Sequence, residues 1–235
     1  MSLIRYISLI RGASATLGLQ NQLAIAQSKE LNFAVKQVQE IKKTGNHITK
    51  LLSTADLIQL GGYAAVEYCG GPAMIFNMGR KDVDSEGDAV QHAAETHAGS
   101  LVVQGLAQSE LSPEEFVALM GSFTIGFSGD EKKGPHSRWC MNPYVWDNTY
   151  FQELLLKDQS KYFRTEADLK LVQNASLKTW VDAYAQDVDL WSRNYAKAHV
   201  KISELGQASN LLSEFEPHRV VDGGYMEESR TRALL

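Results

Sequence analysis

No run of about 18 consecutive apolar residues occurs in this 235-residue chain, so the sequence predicts no membrane-crossing helix. Cysteine is scarce. Cys69 and Cys140 stand 71 positions apart, make no CxxC metal pair and are not expected to join in a disulfide. An excess of positive charge is missing as well. Lys and Arg number 23 against 28 Asp and Glu, a formal charge of −5, whereas a nucleic-acid binder ordinarily carries a basic face. No internal repeat is visible beyond a short echo of Ser2–Arg5 in Ser8–Arg11. Acid is absent from the first 29 residues, where Arg5, Arg11 and Lys29 sit among Ser, Leu and Ile. That composition suits an organelle-targeting leader or its remnant; the plainer alternative is a helix with one apolar face.

What is present is helical period. Residues 20–43 set Leu23, Ala26, Leu31, Ala34, Val35, Val38 and Ile41 largely on one stripe. Residues 176–205 place Leu177, Trp180, Tyr184, Asp187, Trp191, Tyr195, Ala198 and Ile202 at three- and four-residue spacings. Ser112, Pro113 and Glu115 predict a capped helix start, with Ser112 and Glu115 as a capping box and Pro113 at the first helical position. Glycines and low hydrophobicity mark a loop region over residues 79–100. After Gly206 the chain turns polar and then Gly-rich, as an extended or docking tail would. The length allows one or two compact units with ample chain for a core.

Five sequence blocks carry more than period. Residues 53–62 read Ser-Thr-Ala-Asp-Leu-Ile-Gln-Leu-Gly-Gly. Residues 63–80 end Cys-Gly-Gly-Pro-Ala-Met-Ile-Phe-Asn-Met-Gly-Arg, and 117–126 read Val-Ala-Leu-Met-Gly-Ser-Phe-Thr-Ile-Gly. Residues 138–151 run from Arg-Trp-Cys-Met-Asn-Pro to Asp-Asn-Thr-Tyr-Phe, and the fifth block spans 184–206. In this order, over roughly 20–206, they resemble the class I haem peroxidases, nearest ascorbate peroxidase. The resemblance implies an all-α, haem-peroxidase-like helical fold, N-terminally truncated relative to the family. The corresponding boundaries are a leader or extension at 1–20, distal-half helices at 21–105, proximal-half helices at 106–206 and a docking tail at 207–235.

The same resemblance says what each site residue would be. Phe123 stands where the family has the histidine that ligates haem iron, and a phenyl ring has no lone pair to give a metal. Trp139 and Asp187 match the tryptophan and aspartate that flank that histidine. With the histidine gone, Trp139 Nε1–H is expected to hold Asp187, because a half-paired buried carboxylate costs roughly 3–5 kcal/mol. The family's distal pair, a histidine that takes a proton from peroxide and an arginine that stabilises the leaving hydroxide, lies on a helix with the pattern R-L-x-W-H or R-L-x-F-H. No such run occurs here; Arg5 and Arg11 lack a histidine at the right spacing, and the first histidine is His47. Lys132 replaces the arginine that recognises ascorbate and keeps its charge without the bidentate fork. Thr124, Asn142 and Asp147 match oxygen ligands of a potassium ion, but Cys140 stands in place of a threonine ligand, and sulfur suits that hard cation poorly. His92, His97, His136, His199 and the two cysteines are the remaining candidates for a replacement haem ligand.

The expectation is therefore a non-catalytic pseudo-peroxidase with no cofactor. It would serve as an accessory subunit of a larger organellar assembly, plastid (thylakoid-associated) or mitochondrial, bound to protein partners and through them to a membrane. Phe215, Tyr225, Leu234 and Leu235 of the tail would anchor it. Two alternatives stay open: a haem-binding peroxidase with a non-standard ligand, and a small-molecule or haem sensor that uses the vacated cleft.

Overall fold

Short polar side chains start the helices of this chain. In a computed structural model, which describes residues 29–82, 111–127, 137–156, 161–204 and 209–211, α1 spans Lys29–Thr44, α2 His47–Leu51 and α3 Thr54–Tyr68. Asn46 accepts from the amides of Ile48 and Thr49 to open α2, and Ser53 accepts from that of Asp56 to open α3. The expected capping box of Ser112 and Glu115 forms, with Pro113 at the first position of α4, Pro113–Met120. A tighter 3₁₀ turn, Gly121–Thr124, follows directly. The remaining helices are α5 (Thr149–Leu155), α6 (Glu166–Gln173), α7 (Ala175–Gln186) and α8 (Val188–Glu204). Among the described residues the fold is all-helical, with an isolated antiparallel bridge between Phe127 and Arg138 and no helix long and apolar enough to cross a membrane.

The sequence reading runs one periodic stretch through 176–205; the structure breaks it. Asp187 has extended backbone, its amide closes α7 on the carbonyl of Ala183, and its carboxylate accepts from the amide of Leu190 to start α8. Ile41, placed on the apolar stripe of α1, is 44 % exposed, while Val38 on the same helix is fully buried.

Helices α7 and α8 pack on α4, and the chain between α4 and α5 closes the core between them. Trp146 lies flat on Trp191, with ring centroids 4.2 Å apart and planes 7° off parallel. Trp191 Nε1 donates to the carbonyl of Ala118 at 2.9 Å, so the last turn of α4 rests on α8. Gly121 is needed at that contact. A Cβ there would sit 2.5 Å from both Phe151 Cζ and Trp191 Nε1.

A buried ionic knot ties α3 to the far end of α8. The Asp56 carboxylate accepts from the amides of Gly79 and Arg80 and from Arg80 Nη1 at 2.9 Å. Arg80 Nε donates to the carbonyl of Ser203 at 2.9 Å, and the Ser203 hydroxyl is 2.9 Å from Tyr63 Oη. Asp56 and Arg80 are each about 2 % exposed. A buried pair is sound only when its other hydrogen-bonding positions are filled, as they are here.

Candidate functional site

The capping box fixes where α4 begins, and Gly121 fixes how closely its end approaches α8. The 3₁₀ turn then presents Phe123 to the core. The half-buried Phe123 ring lies 4.5 Å from that of Trp139, tilted by 34°, and 5.9 Å from that of Tyr150, tilted by 30°. Three aromatic rings thus stack, with Phe163 meeting Trp139 edge-on at 5.2 Å.

One carboxylate holds this stack from behind, and it is not the one expected. Trp139 Nε1 donates to Asp168 Oδ2 at 3.0 Å, and Tyr150 Oη donates to Asp168 Oδ1 at 2.6 Å. The amide of Thr165 (2.7 Å) and its hydroxyl (2.8 Å) also donate to Oδ2. Asp168 is fully buried and carries four donors, so it bears no half-paired penalty. Asp187, the residue assigned this role from the sequence, is an exposed helix cap on Leu190. The error has a physical source. Thr165 and Asp168 form a capping box at the start of α6, and that box turns the carboxylate inward toward Trp139. The spacing Thr-x-x-Asp ahead of a periodic run was the available signal for Asp168; nothing local to Tyr150 pointed to its role.

Arg164 braces the same corner, with Nη1 donating to the carbonyls of Trp139 (2.8 Å) and Phe163 (2.6 Å) and Nη2 3.8 Å from Glu153. Burial lowers its pKa from the ordinary arginine value.

Thr124, Asn142 and Asp147 do come together, around Cys140. The Cys140 thiol donates to the carbonyl of Thr124 at 3.0 Å, and the carbonyl of Asn142 stands 3.5 Å from the same sulfur. The Thr124 hydroxyl is 3.7 Å from the sulfur and donates to Asp147 Oδ1 at 3.0 Å. Asp147 Oδ1 also accepts from the amide of Thr149 at 3.0 Å and from the Thr149 hydroxyl. Burial pushes the Cys140 thiol pKa up, so the sulfur stays protonated near neutral pH. Asn142 takes part through its backbone carbonyl; its side chain accepts from the amide of Tyr144 instead.

The other candidates separate from this site. Cys69 and Cys140 are both free and buried, and burial raises the pKa of Cys69 too. His199 is 1 % exposed on α8, with Nδ1 2.9 Å from Tyr195 Oη and its ring 4.7 Å from that of Tyr63; its Nε2 has no partner. Desolvation, with the Arg80 charge second, lowers its pKa to about 4. His47 is exposed at the start of α2. Lys132, His136, His92 and His97 lie outside the described residues, as do the leader and the tail residues Phe215, Tyr225, Leu234 and Leu235. No cluster of three or more His, Cys, Asp or Glu suited to a metal occurs among the described residues.

Comparison with known proteins agrees with this fold. Residues 8–187 match the family model described as Peroxidase. The chain is 33 % identical over 198 residues to cytosolic L-ascorbate peroxidase 1 of Oryza sativa subsp. japonica, covering 84 % of this chain and 78 % of that protein. It is 33 % identical over 196 residues to peroxisomal L-ascorbate peroxidase 5 of Arabidopsis thaliana, covering 83 % and 68 %. Cytosolic L-ascorbate peroxidase 2 of Arabidopsis thaliana is 31 % identical over 197 residues, covering 84 % and 77 %.

Proposed function

Since this chain belongs to the class I haem peroxidase family, we propose that it is a member that has given up peroxide chemistry and serves as a non-catalytic accessory subunit of a larger organellar assembly. The observation that carries this reading is Phe123. A haem iron needs a nitrogen, oxygen or sulfur donor at that place, and the side chain there offers only carbon. The residue at that position does not fit the group.

Two further observations favour the reading. Asp168 is saturated by Trp139, Tyr150 and Thr165, so the carboxylate needs no histidine to be stable. The aromatic stack on Phe123 is also a packed arrangement, as in a protein interior selected for fold rather than for exchange of a ligand.

A binding role calls for a binding surface. The backbone bond from Trp146 to the carbonyl of Cys69 draws the end of α3 to the loop before α5. There Tyr68 (81 % exposed), Met141 (66 %), Tyr144 (52 %) and Val145 (43 %) face solvent. Such exposed aromatic and Met residues fit the apolar centre of a protein interface. The organellar site, plastid or mitochondrial, rests on the acid-free leader; the relatives named above are described as cytosolic and peroxisomal.

The test is a haem titration of the purified protein, read in the Soret band. No saturable band is the expected result, and native co-purification from organelle fractions should then recover the chain in a large complex. A stoichiometric band would overturn the reading and favour a replacement ligand, to be sought at His136, His92, His97, Cys69 and Cys140.

A further inference from the structure

We propose that the Cys140 thiol proton takes the place of a bound monovalent cation, so that this chain holds its 140–149 loop to the 3₁₀ turn without an ion. The donors and acceptors around the sulfur carry this. Two backbone carbonyls from separate segments, those of Thr124 and Asn142, point at one buried sulfur, at 3.0 and 3.5 Å. Carbonyls gathered in this way need a positive partner, which is either a cation or a polarised hydrogen. The thiol supplies the hydrogen, and its sulfur is too soft to complete an oxygen shell for a hard cation.

The nearby negative charge is answered without an ion too. Asp147 Oδ1 takes the Thr124 hydroxyl, the Thr149 amide and the Thr149 hydroxyl. The Asp147 oxygen that faces this group is therefore already held by three protein donors. A threonine in place of Cys140 would exchange the S–H donor for an O–H donor and add a hard oxygen ligand. The surroundings would then favour a cation of the potassium or sodium class. The inference concerns this loop alone and is independent of whether the chain binds haem.

Thermal unfolding in potassium, sodium and choline chloride at equal ionic strength tests it. The native protein should give the same Tm in all three salts. Cys140→Thr should gain a saturable rise in Tm in potassium or sodium over choline, because a ligand bound only by the folded state stabilises it by mass action. A saturable rise in the native protein would overturn the proposal. So would a Cys140→Thr variant whose Tm is the same in all three salts. If that variant does not fold, Cys140→Ser is read the same way, and the series on the native protein stands on its own.

Discussion

The indole N–H of Trp139 lies 3.0 Å from Oδ2 of Asp168, and that bond anchors the aromatic stack on which Phe123 rests. Asp168→Ala would leave the Trp139, Tyr150 and Thr165 donors without their acceptor. The expected cost is about 3 kcal/mol or more in urea unfolding, since each stranded buried donor costs on the order of 1–3 kcal/mol. Asp187→Ala removes only an exposed helix cap and should cost about 1 kcal/mol. Equal losses for the two variants would mean that the partner assignment is wrong.

Phe123→Ala should lose about 2–4 kcal/mol, because the ring fills the space between Trp139 and Tyr150. Phe123→His should give no measurable peroxide turnover with haem supplied. A ligand alone provides no acid–base group, and these 235 residues contain no distal Arg/His pattern. Turnover by that single variant would mean that a distal acid–base group is present after all.

Gly121→Ala places a methyl group 2.5 Å from Phe151 Cζ and Trp191 Nε1, both deep in the core. Overpacking of this kind costs roughly 1–3 kcal/mol. The lowered stability should come with a changed tryptophan signal, since Trp191 is one of the two side chains the methyl group meets. An unchanged Tm would show that α8 can shift to accept the methyl group.

His199 makes the fold sensitive to acid. Its pKa is about 4 in the folded state, lowered first by burial and then by Arg80, against an ordinary value of 6.5. A neutral histidine is thus what folding favours. The contribution is fully present above about pH 6.5 and is lost as pH falls through about 4, in total on the order of 3 kcal/mol. Urea unfolding at a series of pH values should show this loss between those limits, and His199→Phe should flatten it. The same slope in the variant would assign the effect to other groups.

Much of this fold is legible in the sequence. Ser112, Pro113 and Glu115 are neighbours in sequence, so their capping box was legible, and with it the placement of Phe123 one helix later. Trp139 was legible as a neighbour of Phe123. Its partner was not, because Asp168 and Asp187 each follow a helix-boundary pattern and only tertiary packing decides which carboxylate turns inward. The break at Asp187 was hidden for a related reason. Apolar spacing runs on through 176–205, and a single extended residue interrupts the backbone without interrupting the pattern. Thr124, Asn142 and Asp147 were grouped by resemblance, whereas the thiol donating into that group is a matter of distances alone.

The knot of Asp56, Arg80 and Ser203 bears on how the chain is made. Arg80 and its acceptor on Ser203 are 123 positions apart, so during synthesis the guanidinium waits for nearly the whole of α8 before its last partners exist. Until then the early helices can pair Asp56 with Arg80 but cannot bury them well, because the remaining donors have nowhere to point. A message cut short before Ser203 would release a chain with α1 to α3 intact in sequence and a charged seam where α8 belongs. Such a product would expose that seam to water, and completion of α8 is what closes it.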